Sequence, residues 1–391
     1  MTEKARQPAP FRIGVVADDL TGALDTGAGL ARAGLRVRVP LGAVDAALDV
    51  ADIDAVVINT ATREGDAATA RDRSRDATRA LLRAGVTVLY KKVDSVMRGH
   101  PGPELAGMLS VLPAGTRAVV APAFPAQGRV TVDGVQLVHG QPATHHGGVL
   151  AEAFASAADA CDFRDAATDD DLLAVATQGI EDGVRVWVGT AGLAAQLVPA
   201  LIEKGLHFAA HDGADDDDDD PWHGGRPVVV IAGSVHPVTV AQVAALAASG
   251  AAHLAIDLRR PEAWPDAETL DHAIAAPGVT IISTHGGVPE GVLSADLARN
   301  ALALLDRVAD ALGRRLVSAE TPPALVVTGG ETAQRLFGRL GATAIDVTGE
   351  VLPGIPTGRV HVGSVVARVV TKSGGFGAVG DLLTIVTGSP A

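Results

Sequence analysis

The chain of 391 residues has a single cysteine, Cys161, so an intrachain disulfide is excluded and a reducing interior is the simplest setting. Aromatic side chains make up only 3% of the sequence, which leaves small aliphatic residues to build the core. No apolar run reaches the length of a bilayer span, and the polar stretch from Met1 to Pro10 lacks the apolar segment of a signal peptide. There is no basic stripe and no interleaving of basic and aromatic residues, which argues against a nucleic-acid partner. Two nucleotide fingerprints are missing as well. No G-x-x-x-x-G-K-[ST] occurs, and the first apolar run ends in Asp18-Asp19, where a dinucleotide fold would need G-x-G-x-x-G. These absences leave a soluble, cytoplasmic protein that handles small molecules, with neither membrane nor nucleic acid as partner.

Glycine, by contrast, is abundant at 45 residues, and Ala and Val carry most of the apolar content. That suits buried parallel strands packed closely against helices. The net charge of −14 is concentrated: Asp212 and the run Asp215 to Asp220 supply seven negative charges. Such a block repels itself and cannot bury area, so it reads as a linker or exposed loop; a Ca²⁺ loop would space its ligands. Strand signals at Phe11–Ala17, Arg36–Leu41, Ala55–Ile58, Thr87–Tyr90, Ala118–Ala121 and Arg185–Val188 alternate with helical patterns at Ala23–Ala33, Ala67–Ala84 and Ala191–Glu203. After the acidic stretch the alternation resumes with strands at Val228–Ile231, Val279–Ser283 and Leu325–Val327. Helices are expected at His236–Ala248 and Ser294–Leu312, and the Gly-rich end from Asp346 reads as short strands and turns. The expectation is a two-domain α/β protein, each domain a mostly parallel sheet covered by helices, with the active site in the cleft between them. The domains would be residues 1–206 and 227–391, joined by residues 207–226.

Six loops carry the chemistry. Asp18-Asp19-Leu20-Thr21-Gly22 ends the first strand, where open α/β sheets bind ligands, although Asp19 could equally cap the next helix. Lys92, Asp94, Ser95 and Arg98 crowd one loop after another strand, and Arg63 follows a third. Cations converging on one rim fit an anionic small substrate, which Arg98 could grip bidentately. In the second half, Ser234, then Gly329-Gly330-Glu331-Thr332, then Gly374-Gly375 occupy loops with little side-chain bulk, as a phosphate chain requires. Arg129 and Thr131 look reactive, but their Pro/Gly loop reads as structural as readily as functional. His145-His146 lacks partners at metal-site spacing, so no metal site is assigned to side chains. Together the loops describe a two-substrate enzyme that moves a phosphoryl group.

The set resembles the four-carbon acid sugar kinase family. The resemblance rests on Ala17-Asp18-Asp19-Leu20-Thr21-Gly22-Ala23, Lys92-Val93-Asp94-Ser95-Val96-Met97-Arg98-Gly99, Pro125-Ala126-Gln127-Gly128-Arg129, Gly233-Ser234, Thr328-Gly329-Gly330-Glu331-Thr332-Ala333 and Lys372-Ser373-Gly374-Gly375-Phe376-Gly377. It implies an N-terminal acid-sugar domain, a C-terminal ATP domain, and phosphorylation of the 4-hydroxyl of threonate, erythronate or 3-oxo-tetronate. By that resemblance Asp18, Asp19, Arg63, Lys92, Asp94 and Ser95 face the sugar acid, and Ser234, Gly329, Gly330, Glu331, Thr332 and Gly375 line the ATP site. Asp94 or Asp18 would orient or deprotonate the attacking hydroxyl, and Mg²⁺ would bridge the phosphates. The sequence departs from the family pattern at Val96, at His100 and across Gln141–Val149. A sugar acid and ATP are thus the expected partners, with a homodimer allowed. The rivals are a non-catalytic sensor and a dinucleotide-dependent oxidoreductase. The sensor would have no need of the glycine loops, and the oxidoreductase lacks its fingerprint.

Overall fold

A computed structural model describes residues 12–42, 48, 50, 52–205, 208, 223–286 and 294–388. The run Asp215 to Asp220 lies outside the described residues. The chain divides into two compact units, one of Met1–Arg38 with Val44–Asp212, the other of Val39–Ala43 with Gly213–Ala391.

The first unit runs β1 (Ile13–Ala17), α1 (Leu20–Arg32), β2 (Val37–Pro40), β3 (Ala55–Asn59), α2 (Ala67–Arg83), β4 (Val88–Lys92), α3 (Pro101–Leu109) and β5 (Ala118–Ala121). It continues with β6 (Arg129–Val132), β7 (Val135–Val138), β8 (Gln141–Pro142), α4 (Leu150–Ala153), β9 (Cys161–Phe163), α5 (Asp169–Glu181), β10 (Val186–Gly189) and α6 (Ala191–Glu203). Seven strands lie in the order β2-β3-β1-β4-β10-β5-β9, every pair parallel. Helices α1, α6 and α5 pack side by side, and α2 packs on α3. The strands read as near-continuous apolar runs because both faces are covered: every residue of β1, β4, β5 and β10 is buried. From β1 the chain passes to β2 at the edge, returns to β3 beside β1, and then crosses to β4 on the other side of β1. That reversal is a topological switch point, where neighbouring crossovers leave a crevice at the strands' carboxyl ends. Three of the charged loops leave the sheet there, after β1, β3 and β4.

The second unit comprises β11 (Val228–Ala232), α7 (Pro237–Ala248), β12 (Ala252–Asp257), α8 (Ala267–Ala275), β13 (Val279–Gly286), α9 (Ala295–Ser318), β14 (Ala324–Thr328) and α10 (Gly330–Leu340). It ends with β15 (Ala342–Leu352), β16 (Ile355–Val362), β17 (Val365–Lys372) and α11 (Asp381–Thr387). Its strand order is β12-β13-β11-β14-β17-β16-β15. The reversal now falls between β11 and β14, so Gly233-Ser234 and Gly329-Gly330 leave adjacent parallel strands. Lys372 ends β17 in register with Thr328.

One expectation is corrected here. The C-terminal stretch is not a set of short strands but an antiparallel meander of strands 11, 8 and 8 residues long. The glycines that read as breaks serve the strands instead. Gly354, at φ 74°, and Gly363, at φ 57°, turn the two hairpins, and Gly358 lies where a Cβ would strike the Asp346 carbonyl. Sequence reasoning also passes over α5, which a capping box between Thr168 and Asp171 starts. It passes over the small antiparallel sheet β6-β7-β8 as well. Among the described residues no helix is long and apolar enough to cross a membrane.

Candidate active site

At the switch point of the first sheet, Asp18 is buried and Arg63 reaches it as a two-pronged fork, Nε to Oδ2 and Nη2 to Oδ1, both at 2.8 Å. The remaining Arg63 nitrogen, Nη1, meets Asp19 Oδ2 at 2.6 Å and lies 3.7 Å from Asp94 Oδ2. The capping reading of Asp19 holds, because its other oxygen accepts from Gly22 N at 2.8 Å at the start of α1. Arg98 returns to Asp94 Oδ2 through Nε at 3.2 Å and Nη2 at 2.7 Å, while Asp94 Oδ1 accepts from Val96 N at 3.0 Å. Gly99 has φ 82° and lies where a Cβ would sit 3.0 Å from Asp18 Oδ2, so the loop can pass this close only without a side chain.

The electrostatics follow from these contacts. Burial opposes charge on Asp18, but the Arg63 hydrogen bonds and the field of Lys91 outweigh it and hold the carboxyl below its usual range. Burial likewise opposes charge on Asp94, and the hydrogen bonds from Arg98 with the nearby Arg63 guanidinium hold it well below that range. Both are carboxylates throughout the neutral pH range.

Adjacent lysines on a strand face opposite ways, and β4 puts them to different uses. Lys92 is buried on the α1 side, with Nζ donating to Val93 O at 2.9 Å and standing 3.2 Å from where a Cβ of Gly22 would lie. No other acceptor engages Lys92 Nζ among the described residues. Lys91 turns to the α3 side, where it is fully buried and bonded to Glu104 Oε2 at 2.9 Å. Thr62 Oγ1 donates to Glu104 Oε1 at 2.7 Å and lies 2.8 Å from Thr60 Oγ1. The backbone beside them is tied in too, with Thr62 N donating to Asp18 O at 2.9 Å. A buried polar network thus underlies the Arg63 corner. Ser95 is half-buried, and its carbonyl is held by Gln136 Nε2 at 3.2 Å. The structure therefore brings Asp18, Asp19, Arg63, Lys92, Asp94, Ser95 and Arg98 into one corner, with Arg63 and Arg98 engaged to carboxylates of the protein.

The second unit gathers the other set. Gly329, at φ 97°, precedes α10 and donates its N–H to Lys372 O at 2.8 Å. A Cβ on Gly233 would strike the Thr332 hydroxyl, one on Gly374 would strike Ser234 Oγ, and one on Gly375 would come within 3.0 Å of His236 Nε2. Ser234, Thr332, Gly374 and Gly375 therefore meet at glycine-width spacing beside the first turn of α10, whose N–H groups have no intrahelical partner. Thr239 Oγ1 donates to Gly374 O at 2.7 Å, and Gln242 Nε2 donates to Phe376 O and Ala378 O at 3.2 and 2.7 Å, pinning the last loop to α7. Lys372 is buried, and its Nζ donates to Ser373 O at 2.7 Å and Phe376 O at 3.0 Å. Burial pushes its ammonium down to about 8, against the opposing pull of Asp381.

Residues 13–149 match a family described as a sugar-binding N-terminal domain, and residues 229–381 match one described as a nucleotide-binding C-terminal domain. A D-threonate kinase of Bordetella bronchiseptica is 32% identical over 416 residues, covering 93% of this chain and 94% of its own. The chain belongs to the four-carbon acid sugar kinase family. Another relative, a 3-oxo-tetronate kinase of Methylobacterium radiotolerans, is also 32% identical, over 93% of this chain and 96% of its own. A solved chain from Salmonella typhimurium LT2 has a TM-score of 0.75 at 22% identity, covering 95% of this chain and 98% of that one, a likeness that bears on the fold alone.

Within this member of the family, sequence reasoning passed over Lys91, Glu104, Thr60, Thr62, His236 and Lys372 as site residues. Each sits in or beside a quoted motif, and the missing signal is pairing across 42 residues from Thr62 to Glu104, which no local spacing reveals. The buried pair gives a test. Lys91→Met strands the Glu104 carboxylate and is expected to cost about 3–5 kcal/mol of unfolding free energy in urea titrations. Lys91→Met combined with Glu104→Gln should recover most of it. A single variant as stable as the parent would show that the pair does not hold this corner.

Proposed function

We propose that the protein transfers the γ-phosphoryl group of ATP to the terminal hydroxyl of a four-carbon sugar acid of the threonate or erythronate class. The acid would be held by the N-terminal residues 1–206 and the nucleotide by residues 227–391. The observation that carries this reading is the contrast between the two switch points. One is lined by charged side chains, the other by glycine backbone and a helix N-terminus. Relatives named as D-threonate and 3-oxo-tetronate kinases over nearly the whole chain support it.

The division of labour follows from the partners each group already has. Asp18 gives both oxygens to the Arg63 fork and is a fixed counter-charge. Arg98 is half-exposed and, with Lys92, is the cation available to a substrate carboxylate. As Arg98 turns to the acid, Asp94 Oδ2 is released to accept the hydrogen of the attacking hydroxyl. A carboxylate held ionised is a weak base, but a loose phosphoryl-transfer transition state asks mainly for orientation. Gly330, Ser234 and Thr332 would approach the phosphates through N–H and hydroxyl donors, with Gly329, Gly374 and Gly375 leaving room for the chain. Among the described residues no three His, Cys, Asp or Glu side chains converge on a metal cage. Mg²⁺, which proteins commonly hold through one or two carboxylates beside substrate phosphates, would need only one here. Glu331, in the first turn of α10 and without a side-chain partner among the described residues, is the carboxylate to hold it. Bound there, Mg²⁺ would neutralise charge on the β- and γ-phosphates.

Two experiments test the reading. In an ADP-release assay the parent should turn over threonate or erythronate and use the corresponding neutral polyol at least about tenfold less well, since a charged hydrogen bond is worth roughly 1.5–3 kcal/mol. Equal use of the polyol would show that the cations serve something other than a carboxylate. The second experiment concerns Lys372. Its ammonium loses its proton near pH 8, so a triphosphate must restore that proton above this point. Affinity for ATP should be flat below about pH 8 and weaken above it, and Lys372→Met should remove the dependence. The sign for stability is opposite. The folded value lies below the ordinary 10.5, so the unfolded chain holds more protons between the two, and this group favours the fold more as pH rises through that window. Calorimetric titration of ATP from pH 7 to 9.5 reads the binding effect; a flat profile in the parent would remove Lys372 from the phosphate site.

A further inference from the structure

Gln136 lies on β7, in the small antiparallel sheet that the proposed function does not use, and is completely buried. Every polar group of its side chain is engaged. Oε1 accepts from the Thr131 hydroxyl at 2.7 Å, and Nε2 donates to Pro122 O at 3.1 Å and to Ser95 O at 3.2 Å. Two carbonyls can only accept, so the amide nitrogen must face them. The Ser95 carbonyl belongs to the same peptide unit as the Val96 N–H, and that N–H donates to Asp94 Oδ1 at 3.0 Å. One planar peptide is therefore gripped at its oxygen by Gln136 and at its nitrogen by Asp94. Because the unit is rigid, turning one end turns the other.

We propose that Gln136 is a positioning residue for the phosphoryl-transfer site, setting the orientation of the Asp94 carboxylate through the Ser95–Val96 peptide. The inference rests on the role given to Asp94 above. With Oδ1 committed to Val96, the oxygen left to Arg98 and to an incoming hydroxyl is Oδ2, and its direction is fixed by a side chain 41 residues away in sequence. The role explains why a buried amide sits at this point of β7. An apolar residue would fill the space but would leave the Ser95 carbonyl without its partner and the Asp94 loop free to turn. It also accounts for Thr131, whose hydroxyl makes the amide face the right way.

The test uses the full chain with Gln136→Met, which keeps bulk and loses both donors. Turnover of the sugar acid should fall about tenfold with the KM for ATP unchanged. Amide hydrogen exchange at Val96 should quicken by a similar factor while exchange in β1, β3 and β4 stays at the parent rate. Thr131→Val should move both readouts the same way by a smaller factor, and serves where Gln136→Met folds poorly. Parent turnover with parent exchange at Val96 overturns the proposal. So does a loss of turnover accompanied by faster exchange throughout the sheet, which would mark Gln136 as a general staple. If the parent phosphorylates no sugar acid, the proposed function fails. The exchange of Val96 then still decides whether Gln136 orients the Asp94 loop.

Discussion

The first unit depends on one guanidinium. Three carboxylates, Asp18, Asp19 and Asp94, are drawn into a single corner at the carboxyl ends of β1 and β4, and Arg63 touches all three. Without it, burial would force at least one of them to take a proton or turn outward. The fork fits two carboxylates at once because its five N–H groups are planar and fixed, which an ammonium cannot match. The rest of the corner serves that arrangement. Thr62 ties the chain carrying Arg63 to Asp18, the Lys91–Glu104 pair stiffens the floor, and Gly22 and Gly99 let the backbone come close. With Arg98 and Lys92 the three negative charges meet three positive ones. The corner is balanced by itself, and under the proposed function an added carboxylate must share cations with the protein's own.

The second unit solves a different problem by different means. Under the proposed function it meets a phosphate chain, bulky and highly charged, by removing bulk rather than supplying charge. Gly233, Gly329, Gly374 and Gly375 each stand where a methyl group would collide with or crowd a neighbouring side chain. The donors left without an intrahelical partner are backbone N–H groups in the first turn of α10. Lys372, the one cation buried among these loops in the described residues, spends its hydrogen bonds on the carbonyls of its own loop. It shapes the loop and lends it positive charge together.

The legibility of this architecture divides along physical lines. Buried parallel strands announce themselves because both faces are apolar, so the runs Phe11–Ala17, Ala55–Ile58 and Val228–Ile231 were plain. Loops at their carboxyl ends followed from the fold class alone. What pairs with what was not legible: Arg63 and Asp18 are 45 residues apart, and Thr62 and Glu104 are 42 apart. One local cue was passed over: three successive Asp residues, Asp169–Asp171, open a helix whose N-terminus favours negative charge. The glycines in and between β15, β16 and β17 look like breaks, yet Gly354 and Gly363 turn the hairpins and Gly358 relieves a close contact. Gln136 carried no motif at all, because its meaning lies in which carbonyls it reaches.

The central claim is that the Arg63 fork organises the corner proposed to receive the acid. Calorimetric titration of D-threonate into the parent and into Arg63→Lys tests it most directly, with ATP titrated into both as the control. The substitution keeps the charge and removes the fork. The account predicts acid binding weakened at least about tenfold, the scale of one lost charged hydrogen bond, with ATP affinity unchanged. Equal affinity for the acid in the two proteins would contradict it.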